Sequence, residues 1–410
     1  MEWLKSGQRK YFCLNEPTGD CTHMQSRLHG LQREYTFRWQ GTTLVKVAEE
    51  TVKTGETGEI YRSYREYDTH LETENREYLL PLTARGKKKK LTPSAVLAIT
   101  PMGCDFYCQT GREGGMLVVQ NVRNDQRLPI GEPGRIRSLR SPEDMEAFLR
   151  EYIATCPPDY FEKVDRVKNA PARTVRYRPG DVFRVEVDRF RYAYGLITGE
   201  VRKMEKWPEF PKGAHSLKNL MAVPVFVRFY DLLTENPSLT PEELEPYPLG
   251  RVSVCSDDDL IHGRNPIVGH KTLAASDLDF PLVCTRFMRE NPHLTVFSRD
   301  EAMEGAERYR LHVDWGFGAA ELDSEDLPRE LQDFFRTYHS PYGGVSRFIF
   351  PWNLAEPESG NWPSFRDELQ NHGEIRRELF AALGLPEEEF DSFNRKFGGL
   401  TRAELTAKLN

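Results

Sequence analysis

The sequence has few cysteines and no long apolar run. Only 7 of its 410 residues are Cys, an odd number for a disulfide framework, so we expect reduced thiols. No stretch approaches the roughly 20 consecutive apolar residues that a transmembrane helix needs. The first residues also lack the apolar core of a signal peptide. These absences predict a cytoplasmic protein with no part in a membrane.

A large excess of one charge sign is also missing. The formal net charge is −7, and the acidic excess is spread along the chain without a single-sign tail. Binding to a polyanion gains nothing from such a balance. The one basic block, the four lysines at 87–90, follows Gly86 in a predicted loop and is typical of a solvated turn. Nucleic acid is therefore not an expected partner.

Length and apolar content predict several folded domains. A chain of 410 residues exceeds what one hydrophobic core usually serves, and its hydrophobic share of 39% suffices for more than one. We predict a multi-domain α+β protein. Its parts are a β-rich N-terminal domain at 1–164, a central domain at 173–283 with a small curved antiparallel β-sheet or barrel-like form, and an α-rich C-terminal region at 284–410.

Local patterns support this division. Large apolar and polar side chains alternate from Tyr35 to Trp39, break at Gly41 and then resume, which predicts a β-hairpin. Ser141 followed by Pro142 predicts the start of a helix with an apolar stripe. The polar stretch 165–176 predicts a connector between domains.

The central third carries the most distinctive order of motifs. Residues 180–183 read Gly-Asp-Val-Phe, residues 192–195 read Tyr-Ala-Tyr-Gly, and after a long loop the apolar strand 225–231 ends in Tyr-Asp. In this order and spacing, the motifs between residues 173 and 283 resemble the bacterial Immunity protein 26 family.

The resemblance implies a small β-rich immunity domain of a bacterial polymorphic toxin system. Such a domain binds a cognate toxin domain and neutralises it, and no cofactor is expected. A related branch is linked to organophosphate hydrolysis, so an enzymatic alternative stays open. The chain is far longer than one such domain, and the segments on either side resemble no family that we can name.

Aromatic and acidic residues near the family-like strands are the candidates for a partner surface. Aromatic side chains beside arginine are typical of interface hot spots. Acidic loops, including one at 242–245, would speed association with a basic nuclease-type toxin. We expect most of the aromatic residues to be core and a minority to face a partner. The candidates are Tyr192, Tyr194, Trp207, Phe229, Tyr230, Asp257, Asp258 and Asp259.

The alternative function is a metal-assisted hydrolase of the organophosphate or phosphoester type. Asp257, His262 and His270 offer carboxylate and imidazole ligands within fourteen residues. Their spacing matches no established metal motif, and residues 257–259 fit a capped helical turn equally well.

Two further sets of polar residues have a chemical alternative. A set of cysteines with one histidine could bind zinc, but the spacings between its members are wider than those of a zinc knuckle. A second set, of alternating charged residues and a histidine, could form a catalytic or anion-binding face if its segment is an extended strand. No nucleophile elbow, phosphate loop or dinucleotide fingerprint occurs, so we expect a binding protein rather than an enzyme. The first set is Cys13, Cys21, His23, Cys104 and Cys108, and the second is His70, Glu72, Glu74 and Arg76.

Overall fold

The structure is a computed structural model. It describes residues 3–28, 31–54, 60–112, 114–130, 133–212, 215–219, 223–288, 308–337, 369, 372–386 and 388–410. The chain divides into two compact units. Unit 1 comprises residues 1–175, 186–192 and 262–264, and unit 2 comprises residues 176–185, 193–261 and 265–410. The predicted α+β class is confirmed, while the boundaries at 164, 173 and 283 stay a prediction.

Unit 1 is built on a nine-stranded sheet. Its main path runs β1-β2-β3-β4-β7-β8-β9, with β5 beside β4 and β6 beside β5. The predicted hairpin is confirmed, because Gln40 pairs with Thr43 across Gly41, whose φ is 61°. The strands are β1 (Asp20–Leu28), β2 (Leu31–Gln40), β3 (Thr43–Thr54), β4 (Ile60–Glu74), β5 (Tyr78–Leu79), β6 (Lys89–Lys90), β7 (Cys104–Thr110), β8 (Met116–Asn121) and β9 (Gln126–Arg127).

Four helices accompany this sheet. They are α1 (Pro93–Leu97), α2 (Pro133–Arg137), α3 (Pro142–Ala154) and α4 (Tyr160–Asn169), and a 3-10 helix spans Arg9–Phe12. Ser141 caps α3 with a reciprocal capping box to Asp144, as the sequence predicts for this helix start. The connector prediction was wrong for residues 165–169. These residues continue α4, because Tyr160, Val164 and Val167 form a buried stripe on one helix face.

Unit 2 contains two smaller sheets. One has five strands in the order β13-β12-β11-β10-β14, and the other has three in the order β15-β16-β17. Within the described residues the five-stranded sheet stays open, so the barrel-like form is not observed. The strands are β10 (Asp181–Glu186), β11 (Tyr192–Glu200), β12 (Pro224–Thr234), β13 (Leu249–Ser256), β14 (Ile267–His270), β15 (Leu282–Met288), β16 (Tyr309–Trp315) and β17 (Gly318–Asp323).

The C-terminal part is α-rich, as predicted. Phe380, Phe390 and Phe393 from its helices surround Trp315 of β16 with edge-on ring contacts. No helix in the described ranges is both long and apolar enough to cross a membrane. The helices of unit 2 are α5 (Val201–Met204), α6 (Pro241–Leu244), α7 (Asp258–Ile261), α8 (Arg329–Thr337), α9 (Gly373–Ala382), α10 (Phe390–Phe397) and α11 (Arg402–Leu409).

A buried ionic network crosses the sheet of unit 1. Glu66 on β4 is 1% exposed and accepts hydrogen bonds from Arg9 Nε at 3.0 Å, Lys46 Nζ at 2.9 Å and the Tyr64 hydroxyl at 2.6 Å. Burial alone would raise the pKa of Glu66, but Lys46 and Arg9 outweigh it and hold that pKa below its usual value. The carboxylate therefore stays charged inside the protein.

Removing this charge should destabilise the fold. Glu66→Gln removes the carboxylate that two buried cations share. Lys46 keeps Asp68 at 2.9 Å and Arg9 keeps Glu16 only at 3.9 Å, so the free energy of unfolding should fall by about 3 kcal/mol. Urea unfolding measures this change in free energy. Glu72→Gln, at an exposed position of the same strand, is the control. Equal effects of the two variants would contradict the network. Because the folded pKa is lowered, the contribution of Glu66 is present at neutral pH and is lost as the pH falls through that pKa.

Candidate functional site

An open pocket of about 470 Å³ lies in unit 2 beside the β12–β13 hairpin. Its lining combines two tyrosines, two carboxylates and two cationic side chains. Such a mixture of aromatic and charged groups is typical of protein interfaces and ligand sites. The lining residues are Arg228, Tyr230, Glu245, Tyr247, Leu249, Lys271, Ser276 and Asp277.

A capped helical turn precedes this pocket in the chain and ends at Glu245, one of the lining carboxylates. Thr240 accepts a hydrogen bond from the Glu243 amide, and the Glu243 carboxylate accepts one from the Thr240 amide. Leu244 is fully buried and anchors the turn. Residues 242–245, named here the acidic turn, thus have a fixed backbone, as the Thr-Pro-Glu-Glu sequence predicts.

The acidic turn carries uncompensated negative charge. In the described part of the chain, neither Glu242 nor Glu245 has an ion-pair partner, and both are exposed. Hydrogen bonds from the Glu242 backbone amide and from the Thr240 hydroxyl lower the pKa of Glu242. The Glu242 carboxylate is therefore ionised at neutral pH, and the exposed acidic turn is available to a cationic partner.

The two tyrosines of the pocket differ in exposure. Tyr230 on β12 is 3% exposed, and burial raises the pKa of its phenol. Tyr247 is 38% exposed and lies between Pro246 and Pro248 in the loop before β13. The loop is fixed on both sides, since the Tyr247 amide donates to the Leu244 carbonyl and the Asp231 amide donates to the Pro248 carbonyl at 2.8 Å. Tyr247 is therefore an accessible aromatic side chain on a rigid backbone.

Arg228 joins the separate segments that line the pocket. Its guanidinium donates to the carbonyls of Leu249 and Gly250 at the start of β13, at 2.9 and 2.7 Å. It also donates to the carbonyls of Ser276 and Asp277, both at 3.0 Å. Burial lowers the pKa of Arg228, and the nearby carboxylates of Asp279 and Asp277 oppose that shift. Arg228 thus positions both sides of the pocket.

Lys271 and Asp277 neutralise each other within the lining. The Lys271 ammonium lies 3.0 Å from the Asp277 carboxylate, which also accepts a hydrogen bond from the Ala274 amide at 2.8 Å. The Lys271 amide donates to the Gly180 carbonyl at 2.9 Å, which ties this segment to the strand that follows Gly180. Of the other charged groups in the lining, Arg228 is bonded to backbone carbonyls, and Glu245 of the acidic turn supplies the negative charge that a partner can meet.

The structure buries five of the eight residues proposed as partner contacts. These are Tyr192, Tyr194, Phe229, Tyr230 and Asp257. Tyr194 and Phe229 fill the core of unit 2, and the Tyr194 hydroxyl donates to the Asn236 carbonyl at 2.8 Å. Trp207, Asp258 and Asp259 keep accessible surface. Of the eight, only Tyr230 lines the pocket, and the assignment of the set to a partner surface stays a prediction.

The proposed metal ligands have separate partners. Asp257 accepts a hydrogen bond from the Tyr177 hydroxyl at 2.9 Å, and residues 258–261 form the helical turn α7. His262 lies 3.3 Å from Asp125, and His270 lies 2.9 Å from Asp181. Over the ranges that the structure describes, no group of three or more His, Cys, Asp and Glu side chains could hold a metal ion.

The other two sets are also divided. Cys13, Cys104 and Cys108 are buried in unit 1, whereas Cys21 is exposed and lies 3.5 Å from His23. In the second set His70 lies 3.9 Å from Glu72 on exposed strand, while Glu74 pairs with Lys88 and Arg76 with Asp20.

Most of the pocket could not be predicted from the sequence. Its lining comes from separate segments of the chain, at residues 228–230, 245–249 and 271–277, and follows no motif. One signal could have pointed to Tyr247, because an aromatic residue between two prolines just after a capped turn is held at a surface loop.

The pocket and the acidic turn lie inside one segment that can be compared with known families. Residues 178–291 match the Immunity protein 26 family. The match covers just over a quarter of the chain and includes every lining residue of the pocket. No curated protein and no solved structure matches the chain. The Immunity protein 26 segment supports an immunity function of the toxin-neutralising kind.

The role of Arg228 can be tested through stability. Arg228→Lys replaces a planar guanidinium with several donors by a single ammonium that cannot reach four carbonyls. We therefore expect the free energy of unfolding to fall by about 2 kcal/mol. Urea unfolding measures this fall in free energy. Arg251→Lys, at an exposed position of β13, is the control. A change below about 0.5 kcal/mol, the usual surface range, would show that Arg228 does not hold the pocket.

Proposed function

We propose that the Immunity protein 26 segment binds a cognate toxin domain of a bacterial polymorphic toxin system and neutralises it in a stoichiometric complex. The observation that carries the proposal is the pocket with its exposed Tyr247 and unpaired acidic turn, all within the matched residues. The complex would form in the cytoplasm and would need no cofactor. The remaining parts of the chain would serve as scaffold or as a second interface.

The chemistry of the pocket fits a basic protein surface. Glu242 and Glu245 provide charge without a compensating cation in the described chain, and such charge attracts a partner of opposite sign before contact. Tyr247 provides an exposed aromatic face on which lysine or arginine side chains pack. A basic toxin of the nuclease type fits this combination.

The hydrolase alternative required Asp257, His262 and His270 to act together. Each of these side chains is engaged with a different residue, Tyr177, Asp125 and Asp181 respectively. No observation favours a hydrolytic site over the binding surface. We therefore propose binding as the function.

Rescue of bacterial growth tests the function, and the affinity of the variant Tyr247→Ala tests the site. The C-terminal domain encoded by the gene immediately upstream would be expressed with and without the full chain. We expect the full chain to restore growth and Tyr247→Ala to weaken binding about 30-fold, as for a hot spot of about 2 kcal/mol. Phe161→Ala, an aromatic residue that is 46% exposed outside the matched segment, is the control. Absence of rescue would contradict the function, and equal affinity of the two variants would contradict the site.

The acidic turn should act mainly on the association rate. Glu242→Gln combined with Glu245→Gln should slow association with the same toxin domain about tenfold at low salt, and the difference should shrink as salt screens the charges. Stopped-flow mixing at two ionic strengths measures this. Asp258→Asn with Asp259→Asn tests the second acidic loop. Glu72→Gln with Glu77→Gln, the same charge change outside the segment, is the control. An unchanged rate in both acidic-loop variants would exclude charge steering.

A further inference from the structure

Helix α11 lies outside the residues 178–291 that match the family, yet it packs against one wall of the pocket. Residues 273–278, named here the wall segment, carry two of the lining residues, Ser276 and Asp277. The 3-10 helix in this segment contacts α11. The helix has an anchor of its own, because its residue Leu405 is fully buried. A fixed helix therefore lies behind this wall.

The side chain of Asn410, which follows α11, holds one end of the wall segment. Its amide nitrogen donates to the Leu273 carbonyl at 3.0 Å, and its amide oxygen accepts from the Leu273 backbone amide at 2.9 Å. One side-chain amide can satisfy both backbone groups of a residue in this way, much as a neighbouring strand does. Leu273 is 3% exposed, so water has little access to replace these bonds.

Arg402, the first residue of α11, holds the other end of the wall segment. Its Nε donates to the Leu278 carbonyl at 3.2 Å, and its backbone amide donates to Asp391 at 2.8 Å. The guanidinium lies 4.5 Å from the ring centre of Phe390, within the range of cation–π attraction. A helix of this length spans about 12 Å, so one rigid element reaches both ends of the wall segment.

Arg228 of β12 holds the wall segment between these two ends. Its bonds to the carbonyls of Ser276 and Asp277 lie between the residues that α11 holds. Within the segment, the Asp277 amide donates to the Ala274 carbonyl at 2.9 Å. The wall is therefore bonded to β12 near its middle and to α11 at its ends.

We propose that α11 positions the wall segment for the toxin domain, with Asn410 and Arg402 as the positioning residues. The choice of partner rests on the proposed function, whereas the positioning rests on bonds within the protein itself. A wall that is ordered before binding need not be ordered when the toxin docks. Ordering the backbone of a single residue costs about tenfold in affinity. The part of the chain outside the family segment thus contributes to the affinity of the pocket inside it.

Hydrogen–deuterium exchange of the full chain without a partner tests the positioning. Asn410→Ala combined with Arg402→Met removes the bonds to both ends of the wall segment. We expect the amides at 273–278 to exchange about tenfold faster, because local opening then breaks fewer bonds. The acidic turn, which has its own capping box, should keep its exchange rates.

A matched control lies on the same helix. Lys408→Met makes the same charge change as Arg402→Met, but the Lys408 ammonium pairs with Glu209 at 3.0 Å. This control should leave exchange of the wall segment unchanged. Arg402→Lys, which keeps a cationic donor, should restore most of the protection at Leu278. If the double variant does not fold, Asn410→Ala alone decides through the Leu273 amide.

Binding of the C-terminal domain encoded by the gene immediately upstream tests the consequence. The double variant should release this domain about tenfold faster than Lys408→Met does, at a similar association rate, because the acidic turn that attracts the domain is intact. Equal exchange at 273–278 in the double variant and the unaltered chain would overturn the proposal. Faster exchange with unchanged release would overturn the link to toxin binding. If the unaltered chain binds no such domain, the proposed function fails, and the exchange rates alone decide whether α11 positions the wall segment.

Discussion

Four backbone carbonyls converge on the guanidinium of Arg228, and the form of the candidate site follows from this convergence. Two of them belong to the start of β13 and two to the turn at residues 276–277. Neither segment is adjacent to the other in the chain, so their spacing depends on a side chain that can donate in several directions at once. Without Arg228, the turn at residues 276–277 would lose these bonds that hold it opposite the start of β13.

Rigidity distinguishes the rim of the pocket from an ordinary charged loop. The capping box of Thr240 and Glu243 fixes the start of the acidic turn, and buried Leu244 anchors its end. Tyr247 follows between two prolines, which restrict its backbone. A surface that is ordered before binding loses less conformational entropy when a partner docks. The same features explain why the glutamates can stay exposed and unpaired.

Much of the fold could be predicted from local patterns, whereas the site could not. The hairpin at Gly41 and the start of α3 each depend on neighbouring residues, and both are found where the sequence indicates. The connector at 165–169 was wrong because the stripe of α4 begins earlier, at Tyr160. The pocket depends on contacts between a side chain and distant carbonyls, which leave no pattern in the sequence. The sequence places Asp257 among the acidic loop residues, but its side chain is buried and bonded to Tyr177, a distant residue that no local pattern indicates.

The proposed contact between the pocket of the Immunity protein 26 segment and a toxin can be tested directly. Hydrogen–deuterium exchange would be measured on the full chain, with and without the C-terminal domain encoded by the gene immediately upstream. We expect slower exchange of the backbone amides at residues 242–249 and 272–277 when that domain is bound. Unchanged exchange in both stretches, with protection confined to residues outside 178–291, would contradict it.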